Sequence, residues 1–134
     1  MAKPLDEAIR RLQAIADEAL RCARMCLRAE PPMVRLAAFH AQQAAEKELK
    51  AWLVALGVEE PQTIHDLLRL QDLATARGGT PLPREPLRFL TEFAIRPRYG
   101  LGHLPLADAE RAVREATDVT KRCRHAVALL LRGE

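Results

Sequence analysis

The sequence predicts an all-α fold, an antiparallel up-and-down bundle of four to five helices built by a single domain over residues 1–134. Apolar residues recur at three- and four-residue steps over three long stretches, which is the spacing of one helix face. Proline and glycine residues separate these stretches. No stretch alternates apolar and polar residues as a half-buried strand would. A chain of this length can bury one core.

The first two helices are predicted from their apolar spacing and from the residues at their ends. The first should cover residues 5–28, with acidic residues in its first turn and arginines near its last. The second should cover residues 32–56, because Pro32 suits a first turn and Gly57 suits a C-terminal stop. Two adjacent prolines should separate the two helices.

The second helix has two unusual faces. Phe39 lies roughly opposite its core stripe, toward the side of Arg35, Glu46 and Lys50. A large apolar ring in that position hints at a partner surface. The first half of the helix carries small side chains, which let a neighbouring helix approach closely. These are Ala37, Ala38, Ala41, Ala44 and Ala45.

Three further helices are predicted after a proline-containing loop. Thr63 resembles an N-cap and Asp66 stands three residues later, at the acidic position of a capping box. The third helix should therefore cover residues 64–77, where two glycines end it. A short fourth helix is predicted over residues 84–95 and a long final helix over residues 107–131.

Composition bounds the environment in which the protein works. The apolar fraction of 49% and the charged fraction of 29% are those of an ordinary globular protein. No apolar run approaches the roughly 20 residues that span a bilayer, and the first residues contain no signal-peptide core. We therefore expect a cytoplasmic protein with no membrane contact. The net charge of +3 permits nucleic acid as a partner but does not require it.

The three cysteines predict neither a disulfide nor a metal site. Cys22 and Cys26 are four residues apart on a predicted helix and share a face, while Cys123 stands alone. An odd number of cysteines at helical spacing is a poor disulfide framework. Because no Cys-x-x-Cys or His-x-His pair accompanies them, no zinc site is expected. We expect buried or half-buried thiols and no cofactor.

Several common catalytic signatures are missing from the chain. It has no Gly-x-x-x-x-Gly-Lys loop, no Gly-x-Gly-x-x-Gly and no His-Glu-x-x-His. It contains no serine at all, which excludes a serine hydrolase. The predicted all-α fold excludes a Rossmann cofactor site. The remaining candidates are polar residues at helix ends and in loops.

The first candidate site is Arg98 with His103, which four residues separate in a glycine-containing segment. A histidine can act as general acid or base near neutral pH. An arginine can hold a phosphate and stabilise charge in the transition state. With RNA the 2′-hydroxyl would attack, so no metal is required. The alternative is that Arg98 caps the fourth helix and that His103 is a solvated loop residue.

The second candidate site combines Lys47 and Lys50 of the second helix with His65 at the start of the third. A helix N-terminus favours anions, and Lys47 could add positive charge. These residues predict a nucleotide- or RNA-binding surface. The alternative is structural: Glu46 and Lys50 are four apart and can form an ion pair, while His65 and Asp66 fit a capping role.

The sequence resembles the HEPN domain family over nearly its whole length. Residues 41–51 read Ala-Gln-Gln-Ala-Ala-Glu-Lys-Glu-Leu-Lys-Ala, which resembles the signature second helix of that family. The order of the residues that follow is also similar. They are Gly57, Pro61, Thr63, His65-Asp66-Leu67 and Arg98-Tyr99.

The resemblance implies a helical bundle that dimerises. Small members are often encoded beside a minimal nucleotidyltransferase, and many such pairs behave as toxin and antitoxin. Active members resemble metal-independent RNases with an Arg-x(4–6)-His motif, two copies of which meet in one cleft of the dimer. Arg98 and His103 match that spacing. In the branch with this second helix, Arg-Tyr-Pro is common, and here Gly100 follows Tyr99.

Two functions therefore stand side by side, and a purely structural dimer with no ligand is a third alternative. One is an RNase toxin that uses Arg98 and His103 and is held in check by a nucleotidyltransferase partner. The other is a non-catalytic module that binds a nucleotide through Lys47, His65 and Tyr99, or that docks the nucleotidyltransferase. A homodimer is expected in both cases, through either the alanine-rich half of the second helix or the basic face of the last helix.

Overall fold

The computed structural model describes residues 3–95 and 104–133. Within these residues the chain forms five α-helices and no strand, which confirms the all-α prediction. No helix in this part combines the length and the apolarity that crossing a bilayer requires. The helices are α1 (Lys3–Arg28), α2 (Val34–Ala55), α3 (Leu67–Ala76), α4 (Arg84–Ile95) and α5 (Leu106–Leu131).

The helix ends agree with the sequence prediction except at the start of α3. Thr63 was expected as the N-cap, but α3 begins at Leu67 and its N-cap is Asp66. The Asp66 side chain accepts the Leu68 backbone N–H at 3.0 Å. Asp66 has extended backbone angles, with φ −75° and ψ 117°, as an N-cap requires. The prediction was wrong here because Ile64 bonds back to Pro61 in a turn instead of starting the helix.

Helix α2 lies at the centre and contacts each of the other four helices. At one end of the bundle, Ala37 packs against Cys26 of α1 and Ala109 of α5. At the other end, Trp52 and Ala126 line the same small cavity. Helices α2 and α5 therefore run in the same direction, and α1 runs opposite to both. This arrangement buries most of the second half of α2, so the polar side chains there must find partners inside the protein.

The alanine side chains in the first half of α2 pack against other helices of the same chain. Its small side chains let α1 and α5 approach the α2 backbone closely. Each of the five is at most 2% exposed, so these alanine side chains offer no surface to a second chain. They are Ala37, Ala38, Ala41, Ala44 and Ala45.

The connection after α3 is held against α2 by a glycine. A Cβ atom at Gly79 would lie 2.5 Å from Trp52 Cζ2 and 2.9 Å from the Ala74 carbonyl oxygen. Both distances are too short for a side chain to be accommodated, so only glycine allows this approach. Trp52 is consequently 2% exposed, beneath the loop that leads to α4.

The cysteines are free, and two of the three are buried. Cys26 and Cys123 lie in the core as expected, but Cys22 is exposed, so the prediction of a buried or half-buried thiol was wrong for that residue. Cys26 is covered because the first turns of α2 and α5 close over it through Ala37 and Ala109. One turn earlier on α1, Cys22 lies beyond that cover. Burial raises the pKa of the Cys123 thiol far above its ordinary value.

Candidate functional site

The buried carboxylate of Glu46, on α2, contacts the other polar side chains of the candidate site. The side chains of Glu46 and Lys50 are both 1% exposed, and Lys50 Nζ donates to Glu46 Oε2 at 3.0 Å. This is the ion pair that the spacing of four residues predicts. The ammonium of Lys50 is therefore committed to Glu46 and does not reach the surface. Glu46 and Lys50 lie on the same side of α2 as Phe39, but unlike Phe39 they are buried. His65, just before α3, contacts this side at the level of Glu46.

His65 is tied to α2 by both its side chain and its backbone. Its Nδ1 lies 3.1 Å from Glu46 Oε2. The Gln42 amide donates to the His65 carbonyl oxygen at 3.2 Å and to Glu46 Oε1 at 3.3 Å. A carboxylate can only accept, so Nδ1 carries the hydrogen and Nε2 is left for a ligand. The His65 side chain remains 60% exposed, which makes it accessible as well as oriented.

Lys47 supplies an accessible positive charge beside His65. Its Nζ is 4.0 Å from Glu46 Oε2, and its side chain is 23% exposed. The first backbone amides of α3 are already used, because Asp66 accepts from Leu68 and the Thr91 hydroxyl accepts from Leu67 at 3.2 Å. These two N–H groups at the helix start are therefore not free for the expected anion, and the side chains of Lys47 and His65 are the accessible groups that remain.

The electrostatics of this cluster favour an anion. The single negative charge of Glu46 faces two lysines, and Lys50 alone neutralises it at close range. Lys47 is in excess, and an accessible ammonium at a surface suits a phosphate group. Within the described residues, no three His, Cys, Asp or Glu side chains are grouped so that they could hold a metal ion.

The other candidate residues, Arg98, Tyr99 and His103, lie outside the described residues. The described chain stops at Ile95, the end of α4, and resumes at Leu104. Leu104 is buried with Phe93 of α4 and Ala38 of α2.

A second buried charge network was missed by the sequence analysis. Glu48 is fully buried, and Arg124 of α5 places Nε and Nη2 at 2.9 and 2.8 Å from Glu48 Oε2. Arg124 also donates to Asp17 Oδ1 at 2.9 Å and to the Gln13 carbonyl at 2.8 Å, so the network joins α1, α2 and α5. A charged residue at helical spacing among core positions, such as Glu48 between Ala45 and Trp52, was the available signal.

Glu48 gives the stability of the protein a pH dependence. Burial raises its pKa from 4.5 to about 7, although the hydrogen bond and charge of Arg124 act in the opposite direction. The second carboxylate oxygen, Oε1, is buried without a hydrogen-bond partner. The stability that this group contributes is complete below pH 4.5 and is lost as the pH rises through 7, because ionised Glu48 is disfavoured in the fold.

We expect Glu48→Gln to remove this pH dependence. Relative to that variant, the wild type should lose about 3 kcal/mol of unfolding free energy between pH 4.5 and 8. Urea unfolding at four pH values would measure the difference. Glu59→Gln, at an exposed position, serves as control and should follow the wild type. Parallel curves for wild type and Glu48→Gln would contradict the assignment.

Variants of Lys47 and Lys50 should separate the lysine at the candidate binding surface from the lysine that stabilises the fold. Lys50→Met leaves Glu46 buried without its nearest counter-charge, and we expect a loss of about 3 kcal/mol in urea unfolding. Lys47→Met removes a half-buried charge at the edge of the site and should change stability by less than about 0.5 kcal/mol. Equal losses for the two variants would show that Lys47 is structural as well.

Comparison with protein-family models matches residues 9–126 to the HEPN domain. The matched range runs from the first turns of α1 to the last turns of α5, and it includes Lys47, His65, Arg98 and His103. Comparisons with curated proteins and with solved structures give no match.

Proposed function

The chain belongs to the HEPN domain family, and from this premise we propose that it is a metal-independent endoribonuclease of the cytoplasm. The observation that carries the proposal is the pair Arg98 and His103, separated by four residues inside the matched range. A histidine and an arginine are the side chains that cleavage at a ribose 2′-hydroxyl needs. The surface formed by Lys47 and His65 supports the proposal, since it offers phosphate contacts on the same chain.

The proposed reaction uses the RNA's own nucleophile. His103 takes the proton of the 2′-hydroxyl, and O2′ attacks the adjacent phosphorus. The bond from phosphorus to the 5′-oxygen breaks, and that oxygen takes a proton from solvent water, while His103 later releases the proton that it removed from the 2′-hydroxyl. Arg98 binds the phosphate oxygens and stabilises their added charge in the transition state. The products are a 2′,3′-cyclic phosphate and a 5′-hydroxyl end.

The proposal includes a homodimer and a protein partner. A dimer would bring two Arg98–His103 motifs into one cleft, and a minimal nucleotidyltransferase would act as the antitoxin to this toxin. The five alanine side chains in the first half of α2 are buried within the chain. The remaining contact surface considered from the sequence is the basic face of α5, where Arg114, Lys121 and Arg122 are exposed.

The test is an RNA cleavage assay in EDTA with a mixed tRNA and mRNA substrate. Cleavage by the wild type that leaves cyclic phosphate ends would support the proposal. Intact RNA at high protein concentration, with and without the product of a neighbouring nucleotidyltransferase gene, would refute it. Co-purification with that product tests the pairing separately.

A second candidate function is a non-catalytic module that binds a nucleotide or docks the nucleotidyltransferase. The observation in its favour is the oriented, exposed His65 beside Lys47. Tyr99 would extend this nucleotide surface. Millimolar ATP or GTP should then raise the melting temperature by mass action, and Lys47→Met should reduce the shift. An unchanged melting temperature would remove this candidate as a nucleotide-binding module.

A further inference from the structure

The outer face of α2 combines an aromatic ring with cationic groups. Leu36, Phe39, Gln43 and Lys47 follow one another at steps of three and four residues and so share this face. Phe39 is 46% exposed and Leu36 is 48% exposed. Among the described tryptophan and phenylalanine residues, Phe39 is the exposed one. Trp52, Phe89 and Phe93 are buried or partly buried.

The same face is cationic because the acids of α2 point inward. Helix α2 contains two acidic residues, Glu46 and Glu48, and their side chains are at most 1% exposed and paired with cations. Arg35 is exposed and Lys47 is partly exposed, so the accessible charges of α2 are positive. A surface of this kind attracts a polyanion.

Among the described residues, the ring that contacts Phe39 does so edge-on and is not stacked on its face. This is the His40 ring, with centroids 5.4 Å apart and an interplanar angle of 70°. Lys47 lies eight residues further along the helix, about 12 Å along the axis. His65 contacts Gln42 and Glu46, at a level between Phe39 and Lys47. An aromatic platform and a phosphate site therefore lie along one line on the surface.

We propose that this line is a binding track for single-stranded RNA, in which Phe39 stacks on an unpaired base and Lys47 with His65 contacts a phosphate. The inference rests on RNA as the substrate in the proposed function and names the form of RNA that is bound. Aromatic side chains stack on bases that are exposed, as they are in single strands and loops, whereas a duplex covers both faces of each base.

A second copy of the chain fits this face less well. A two-fold contact places the same patch on both sides of the interface. It would bring Arg35 and Lys47 of both copies together with no exposed α2 carboxylate to pair them, and like charges oppose association. RNA supplies the missing negative charge.

The test measures binding of a fluorescently labelled, single-stranded 2′-O-methyl RNA by anisotropy. This probe lacks the 2′-hydroxyl nucleophile and cannot be cleaved by the proposed reaction. We expect Phe39→Ala and Phe39→Leu each to weaken binding about 5- to 100-fold, because leucine restores apolar contact but not stacking. Leu36→Ala, at a matched exposed position, should weaken binding less than about twofold. The same probe annealed into a duplex should bind with no dependence on Phe39.

Several results would overturn the track. One is wild-type affinity in Phe39→Leu, since apolar contact alone would then suffice. Another is that Phe39→Ala and Leu36→Ala keep the wild-type RNA affinity but sediment as a smaller species than the wild type. That result would identify this face as a contact between protein chains. Cleavage by the wild type with no effect of Phe39 overturns the track and leaves the nuclease standing. RNA binding that depends on Phe39, with no cleavage by the wild type, would refute the nuclease and leave the track standing.

Discussion

Replacing His103 or Arg98 with alanine is expected to reduce RNA cleavage by at least about two orders of magnitude. A positioned general acid or base contributes roughly 10²- to 10⁴-fold to a rate, and loss of one donor to a transition-state oxyanion costs roughly 10²- to 10³-fold. Because the two residues are assigned to one reaction step, the double variant should lose less than the product of the two single losses. Initial rates in EDTA would measure all three variants.

The controls for this prediction come from the same residue types elsewhere in the chain. His125 is exposed on α5 and Arg88 is exposed on α4. His125→Ala and Arg88→Ala should cleave at the wild-type rate and unfold at the wild-type urea concentration. Retained cleavage in His103→Ala, together with an unchanged unfolding midpoint, would show that the spacing of Arg98 and His103 is coincidental.

The second large effect is expected on stability, from Arg124→Ala. This change leaves Glu48 fully buried without its cation, and removing one partner of a buried pair costs about 3 to 5 kcal/mol. It also removes hydrogen bonds to Asp17 and to the Gln13 carbonyl, which connect α5 to α1. Urea unfolding at pH 8, where Glu48 is mostly ionised, should show the full loss.

Arg122 provides a matched control on the same helix. It pairs with Asp118 at 2.8 Å, but both side chains are about half exposed, at 51% and 52%. Arg122→Ala should therefore cost less than about 0.5 kcal/mol. Restoration of most of the stability in a double variant, Glu48→Leu with Arg124→Leu, would identify the unpaired charge as the cause. Equal losses for Arg122→Ala and Arg124→Ala would contradict it.

Part of the candidate site could be predicted from local spacing. Glu46 and Lys50 are one helical turn apart, so their ion pair depends on α2 alone. His65 is different, because its contact with Glu46 depends on how the loop before α3 folds back over α2. The sequence analysis named His65 and Lys47 together, but it had no means of showing that Lys50 faces inward.

By itself, the sequence determined the number of helices, most of their ends and the family to which the chain belongs. These follow from short-range causes: apolar spacing, proline and glycine positions, and a motif that can be read along one helix. The tertiary structure alone decided which charges are buried, since α2 is covered by α1 and α5 over most of its length. That cover turns Glu48 and Arg124 into a link among three helices. It also leaves Phe39 exposed and Lys47 partly exposed, because α1 and α5 pack against the opposite side of α2, which carries Ala37.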